Sequence, residues 1–564
     1  MHTYILGITI SVHDSAACLL KDGELVAACE EEKFTRNKHT GEFPFRAIKF
    51  CMEREGISID DISYVAYSQV PWLFWPSKLG YALLNPKGAI NFLKKEIFWY
   101  SLNYEKTRVW IDRFKDEAGA KKHYKEIFVE HHLAHAASAC LLSHFDESAV
   151  LSIDQRGEWS STMLAKYSGN KIFKIKEIDF PNSLGLFYLM LTLYLGFDYN
   201  DEYQVMGLAA YGKPRYLNEM NQIMHYTKDG EFRLNKKYLS GHYKRMYSDE
   251  LIKKLGPPRK KEEPITERHC DIAASLQITL ENVSFKILNY LYKITKSDKL
   301  CLAGGVALNS VMNGKIVDNT PFKEVFIQPA ASDAGTAVGA ALYVHNILLD
   351  KPKKLSVNKV YLGPEFSNEK IEKMLKSYNL KYEFLGDNLE PFVAKLISEG
   401  KVIGWFQGRV EFGPRALGNR SILADPRRKD MKDRVNLLVK ERQSFRPFAP
   451  AILEERFDEY FTGEKNSPYM LLVHGVRLDK KDNIPAVVHV DGTARVQTVS
   501  KSANPRFWKL ITEFERLTGI PILLNTSFNI KGEPIVCTPQ DAIRCFFSSG
   551  LDGLVLNNFL LTKQ

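Results

Sequence analysis

An α/β fold in two parts is what this sequence predicts, and three observations carry the expectation. Between residues 4 and 340, strand-like runs rich in Val, Ile and Leu alternate with helix-length apolar stretches. Hairpins followed by strand–helix units put helices on both faces of a sheet. The polar run at 350–358, Asp-Lys-Pro-Lys-Lys-Leu-Ser-Val-Asn, reads as a linker. A chain of 564 residues is also long enough for at least two domains, each burying its own core. The expected division is 1–350 and 360–564.

The elements follow in order. Tyr4-Ile-Leu-Gly-Ile-Thr-Ile-Ser-Val and Ala16-Ala-Cys-Leu-Leu are β-rich runs around a polar turn, and Lys21-Asp22-Gly23 turns into a third strand, giving a hairpin meander. A helix is expected at Phe45–Glu55 and a strand at Ile62–Tyr67. Residues 70–127 are aromatic and lysine-rich without strand periodicity, and read as a helical insertion. The alternation resumes with a strand at 126–130, a helix at 131–144, and strands at 149–154 and 162–167. Helices are expected at 183–195, 215–225 and 269–296. A strand at Leu300–Leu302 leads into Ala303-Gly-Gly-Val-Ala-Leu-Asn309, and one at 324–328 leads into Ser332-Asp-Ala-Gly-Thr336, which opens a helix. From about 360 a second α/β unit runs to the end.

Composition excludes several classes. The hydrophobic fraction is 45%, aromatics 12% and charged residues 26%, as in an ordinary globular protein. The eight cysteines form no C-x-x-C pair and several lie in apolar runs, so they read as small buried hydrophobes in a reducing, cytoplasmic compartment. His13 and Asp14 break the first apolar run, which therefore does not read as a secretory signal. Leu184–Phe197 has 14 residues where a membrane span needs about 20, so a buried helix is expected there.

Charge is concentrated. Residues 401–450 hold twelve Lys/Arg against five Asp/Glu, a net +7 out of +10 for the whole chain. One basic segment in an otherwise balanced chain argues against a general nucleic-acid or membrane-surface role. Here Arg415 and Arg446 stand among Gly, Pro and apolar neighbours, not on a polar helix face. Arginine forks bind phosphate oxygens bidentately, and glycines let backbone N–H groups approach them, so a pocket for phosphate-bearing ligands is expected.

A second constellation lies in the first half. In Glu130-His-His-Leu-Ala-His-Ala-Ala-Ser138, His131 and His135 are four apart, on one helix face and one turn from each other. The zincin arrangement is absent, because no glutamate follows the first histidine. Asp154 ends an apolar strand and Asp333 sits at a helix start. Open α/β sheets place ligands at such strand ends. Two imidazoles with two carboxylates suit iron, manganese or zinc. Gly157, Gly304, Gly305, Asn309 and Gly335 lie in the turns beside these residues, where close approach of a nucleotide is expected.

In this order the segments resemble the nodulation-type O-carbamoyltransferase family over nearly the whole length. They include His13-Asp-Ser-Ala-Ala, Glu30-Glu-Glu-Lys-Phe-Thr-Arg36, Glu130-His-His-Leu-Ala-His-Ala, Asp201-Glu-Tyr-Gln-Val-Met-Gly, Gly304-Gly-Val-Ala-Leu-Asn309 and Ser332-Asp-Ala-Gly-Thr336. Further on come Glu411-Phe-Gly-Pro-Arg-Ala-Leu-Gly-Asn-Arg420, Phe445-Arg-Pro-Phe-Ala-Pro450, His489-Val-Asp-Gly-Thr-Ala-Arg-Val-Gln497 and Leu524-Asn-Thr-Ser-Phe-Asn529. Asp154-Gln155 stands where relatives often carry Asp-Gly. The resemblance implies a Kae1-like domain of the actin/Hsp70/sugar-kinase superfamily followed by a YrdC-like domain. The second would make carbamoyl adenylate from carbamoyl phosphate and Mg-bound ATP. The first would pass the carbamoyl group to a hydroxyl of a small-molecule or sugar acceptor.

By the same resemblance, His131, His135, Asp154 and Asp333 hold iron, and Arg415, Lys440 and Arg446 bind phosphates, with Arg495 and Asn525 beside them. Relatives imply a homodimer. His13 with Asp14 is the candidate base for the acceptor hydroxyl. The aromatic 70–110 stretch and an Asp198–Tyr211 loop are expected near the acceptor. A tRNA threonylcarbamoyl-type transferase, a kinase and an actin-like nucleotide-binding scaffold are the competing readings. No basic stripe with interleaved aromatics supports the first. Neither of the others explains the histidine–aspartate set.

Overall fold

A computed structural model describes residues 2–10, 13–84, 90, 92–94, 96, 97, 109, 112, 116, 124–242, 245–354, 360–443 and 445–563. The chain forms two compact units. One comprises 1–31, 39–312 and 316–357; the other comprises 32–38, 313–315 and 358–564. A division of the sequence near 350–360 has no means of showing that 32–38 and 313–315 join the second unit.

The first unit contains one folding plan twice. Tyr4–Thr9 pairs antiparallel with Ala16–Lys21, which pairs antiparallel with Glu24–Glu30. On its other side Ile62–Tyr67 and then Lys125–Phe128 run parallel. The second sheet repeats this. Glu147–Ile153 pairs antiparallel with Ser160–Ser168, and that strand with Lys171–Asp179. Lys299–Ala303 and then Glu324–Ile327 run parallel on the other side. Each sheet thus has its third, second, first, fourth and fifth strands side by side in that order. This duplicated α/β topology is the one expected of the actin/sugar-kinase superfamily.

Each repeat sends a helix back from its fifth strand: His131–Cys140 in the first, Ala334–Leu342 in the second. The two helices pack on each other, and glycine makes the approach feasible. A Cβ on Gly339 would stand 1.7 Å from the Ala134 carbonyl oxygen, and one on Gly7 2.1 Å from that of Ala337. Gly339→Ala should therefore destabilise the protein by about 3 kcal/mol, since a close-packed backbone contact leaves nothing flexible to yield. Gly80→Ala is the control: its helix position has open space and should gain a few tenths of a kcal/mol or more. Paired denaturation midpoints test the contrast.

Several expected elements sit elsewhere. The helix expected at 131–144 stops at Cys140, where the Ser143 hydroxyl donates to the Cys140 carbonyl. Strand Lys171–Asp179 lies outside the expected elements; Lys171, Lys174 and Lys176 mark it as the edge of the second sheet. The supposed Asp198–Tyr211 loop contains helix Glu202–Ala209, whose Gln204, Val205 and Leu208 are buried. Gly207 in mid-helix lowers its propensity and hid it. Of the insertion at 70–127, the structure shows helix Trp75–Leu84 and strand Lys125–Phe128; most of the stretch between them lies outside the described residues. No helix among the described residues is long and apolar enough to cross a membrane.

The second unit is built on an eight-stranded mixed sheet. Its order is Glu383–Phe384, Phe559–Thr562, Gly553–Leu556, Ile403–Phe406, Arg420–Ala424, Ile522–Ser527, Ala449–Leu453 and Gln497–Val499. Alternation of period two sends Trp405, Leu423 and Leu523 into one core, with Val393, Phe507, Ile511 and Phe514 from two helices. Phe406, Ile422 and Leu524 enter the opposite core with Met431, Val435, Ile543 and Phe546. A sheet buried on both faces holds its loops in fixed positions.

Candidate functional site

Two clusters stand out, one in each unit. In the first unit, His131 opens helix His131–Cys140, so its neighbour one turn on, His135, shares its face. Asp154 follows the first strand of the second repeat, and Asp333 stands immediately before helix Ala334–Leu342. The Asp333 carboxylate makes no capping bond, so it is not spent on the helix end. The four side chains offer ligand atoms that all lie within 4.8 Å of one another. His131 Nε2 and His135 Nε2 are 3.1 Å apart. Asp154 Oδ2 is 3.3 Å from the first and 3.0 Å from the second, and Asp333 Oδ1 is 3.7 Å from each.

Those spacings fit a single metal ion. Ligands about 2.1 Å from an ion stand roughly 3.0 to 4.2 Å from each other in tetrahedral or octahedral geometry. The residues are 0 to 9% exposed, which protects such a centre from water. Its charge asks for a cation: burial favours neutral His131, yet the bond to Asp154 and the Asp333 and Asp154 charges raise its pKa to about 9. Asp154 lies well below the usual carboxylate range, its burial outweighed by bonds from both histidines. His132 is not part of this. It is bonded to Ser152 and the Ser160 carbonyl, and burial followed by the two neighbouring histidines lowers it to about 3. Glu158 accepts the N–H groups of His131 and Val70 and so anchors the helix start.

His13 and Asp14 lie in the turn after the first strand, the position in the first repeat that Asp154 occupies in the second. Asp14 has φ of 60° and joins His39 Nδ1 at 2.8 Å and His13 Nδ1 at 3.3 Å. Against its burial, the Asp14 bond and the charges of Asp333, Asp14 and Asp154 raise His13 to about 10. Burial raises Asp14 in turn, but bonds from His13 and His39 hold it far below its usual range.

The glycines expected to admit a nucleotide face protein. A Cβ on Gly157 would meet the His131 ring at 2.9 Å, and one on Gly305 the Asp154 carboxylate at 3.0 Å. Gly304, at φ 94°, and Gly335 would meet the Ile153 and Ala330 carbonyls. Their smallness lets the ligand-bearing strands and turns close on one another. Asn309 exchanges two 3.0 Å bonds with Gln277, which occupies its amide.

In the second unit the basic segment divides. Arg427, Arg428 and Arg434 pair with Asp425, Asp430 and Asp552. Arg420 is fully buried, donates to the carbonyls of Gln407, Asn419, Pro364 and Gly408, and lies 3.5 Å over the Phe406 ring. Those residues belong to the fold. Arg415, Arg442 and Arg446 crowd Arg495: burial first, then those three arginines, hold it far below its usual range, even though Arg442 also donates to Asn436 Oδ1 and lies 4.6 Å from the centre of the Phe448 ring.

Lys440 is buried, and it too is lowered, by burial and then by Arg442, Arg446 and Lys38. Its ammonium donates to the Ser527 and Asn529 carbonyls and side chains. Asn525 donates to Gln497 Oε1 and to the Ala416 carbonyl, beside Arg415, while its own Oδ1 is buried with no partner among the described residues. A fold that confines five cations this way releases repulsion when it takes up an anion of several charges. Arg442 belongs to the basic segment but does not stand out in the sequence; with Lys440, Glu441, Gln443 and Ser444 around it, the stretch is polar throughout and looks like a solvated surface.

The carbamoyltransferase N-terminal family model matches residues 4–342, and the carbamoyltransferase C-terminal model matches 394–563. An uncharacterized protein of Synechocystis sp. is 43% identical over all of this chain and 97% of its own. Nodulation protein NolNO of Sinorhizobium fredii is 40% identical over 98% of this chain and 79% of its own. Nodulation protein NolO of Bradyrhizobium diazoefficiens is 44% identical over 77% and 79%. A solved structure, component A of an Acidaminococcus fermentans (R)-2-hydroxyglutaryl-CoA dehydratase, overlays with a TM-score of only 0.34 at 16% identity, over 61% of this chain and 98% of its own.

Proposed function

The chain belongs to the carbamoyltransferase family, and from that premise we propose an O-carbamoyltransferase that works in two steps at two places. The single observation that carries the reading is the five-cation cluster of Arg415, Lys440, Arg442, Arg446 and Arg495 in the second unit, which is taken to be YrdC-like. There a water molecule cleaves carbamoyl phosphate to carbamate and orthophosphate, and a carbamate oxygen attacks the α-phosphorus of Mg-bound ATP. The α–β bridging bond breaks, pyrophosphate leaves, and carbamoyl adenylate remains. Both reactants are anions, so fixed guanidinium groups are needed to offset repulsion and align them.

The second step belongs to the first unit. An acceptor hydroxyl, on a small molecule or sugar, attacks the carbamoyl carbon and AMP departs. His131, His135, Asp154 and Asp333 would hold iron, manganese or zinc, which when bound supplies Lewis acidity at a carbonyl or phosphate oxygen. His13, oriented by Asp14, stands close enough to feel Asp154 and Asp333 and is the group that would accept the hydroxyl proton; a cation held by those two carboxylates would favour its neutral, proton-accepting form. Burial keeps water from a readily hydrolysed adenylate.

Incubation with labelled ATP and carbamoyl phosphate, without acceptor, tests this. Pyrophosphate release that depends on carbamoyl phosphate is expected. ADP formation instead would mean a kinase, and no turnover a scaffold.

A further inference from the structure

We propose that Lys33 is a positioning residue for the activation step, holding the loop that carries Arg415. The inference rests on the reading of the second unit as the site of adenylation. Lys33 sits on the short helix Glu32–Thr35, nearly 380 positions before the loop it serves. That strap, residues 32–38, is part of the second unit. Lys33 is 1% exposed, and its ammonium donates to the carbonyls of Glu411 and Gly413.

A lysine is almost never fully buried unless its donors are used, because an unsatisfied ammonium in a dry interior is strongly unfavourable. Here the donors go to main-chain oxygens on either side of Phe412, one turn ahead of Arg415. Gly413 has φ of 119°, a conformation reserved to glycine, so this backbone takes an unusual course that something must hold.

The rest of the loop is secured independently. Glu411 Oε1 accepts from the N–H groups of Leu417, Asn419 and Arg420. Tyr361 and Gln497 donate to the Leu417 carbonyl, and Asn525 to that of Ala416. Those contacts fix the side of the loop after Arg415. On the side before it, the Phe412 N–H donates to the Val360 carbonyl and Glu411 bridges to Tyr361. Lys33 adds the side-chain contact there, gripping the carbonyls on both sides of Phe412. Arg36 serves a different purpose. It ties the strap to the Pro534 and Ile535 carbonyls and to Glu533 and Asp541; its remaining side-chain bond is to the Lys33 main-chain carbonyl, so it leaves the Lys33 ammonium and its two carbonyl partners in place.

The test uses full-length protein and three variants: Lys33→Met, Lys33→Arg and Arg36→Ala. Lys33→Met keeps length and apolar packing but removes the donors, and should slow carbamoyl-phosphate-dependent pyrophosphate release on the order of 100-fold, the effect of a misplaced positioning group. Lys33→Arg, still a charged donor, should recover most of the rate, and Arg36→Ala should stay within about threefold of wild type.

Thermal unfolding with inorganic pyrophosphate gives a readout independent of turnover. Pyrophosphate should raise the wild-type Tm and leave that of Lys33→Met nearly unmoved. Wild-type rate in Lys33→Met, or a loss in Arg36→Ala as large as in Lys33→Met, would overturn the proposal. A wild type without turnover that is still stabilised by pyrophosphate through Lys33 would refute the two-step reading but retain the positioning role. A wild type whose Tm pyrophosphate does not move would overturn that role as well.

Discussion

Arg415→Ala should abolish carbamoyl-phosphate-dependent pyrophosphate release, by 10²- to 10³-fold or more on the scale of a lost transition-state donor, while leaving the Tm unchanged or higher. The two halves of that expectation come from one cause. Arg415 is among the charges that hold Arg495 far below its usual range, so in the absence of an anion its removal relieves repulsion. With nucleotide bound, the same charge is needed against the phosphates. Arg420, five residues on, gives the opposite signature. Its donors are spent on four main-chain carbonyls, so Arg420→Ala should lose activity and fold together. Turnover within a few-fold of wild type in Arg415→Ala would remove that residue from the site.

His131→Ala should divide the two steps. The variant loses one of four clustered ligands and should retain little metal, measured by elemental analysis after gel filtration. Transfer to an acceptor should fall by at least 10²-fold, since even outer groups supporting a metal ligand are worth 10- to 100-fold. Pyrophosphate release should remain near wild type, because this helix belongs to the first unit and the cation cluster to the second. A chelator should lower the wild-type Tm and leave that of the variant where it was, as only the wild type has bound metal to lose. Equal loss of both steps would contradict two separate sites.

How much of this was legible in the sequence depends on the range of the interaction. The His131–His135 pairing is local: four residues of helix put both rings on one face. Asp154 and Asp333 could be nominated because strand ends are where such sheets keep ligands. The role of the glycines could not be read, since what a Cβ at Gly157 or Gly305 would meet is set by chains that approach from elsewhere. Lys33 was hidden for the same reason. Its partners lie in another half of the sequence, and among Glu30-Glu-Glu-Lys it looks like any solvated charge. The duplication of the first unit was masked by unequal spacing, because 57 residues separate Tyr67 from Lys125 while only 20 separate Ala303 from Glu324.

That repetition bears on how the metal centre comes into being. Both nitrogen donors follow the last strand of one copy, whereas both oxygen donors belong to the other. Neither copy by itself can chelate an ion with all four groups. An ion bound there would therefore load only once the halves have docked, and would act as a rivet between them, strengthening with affinity whatever hinge they form.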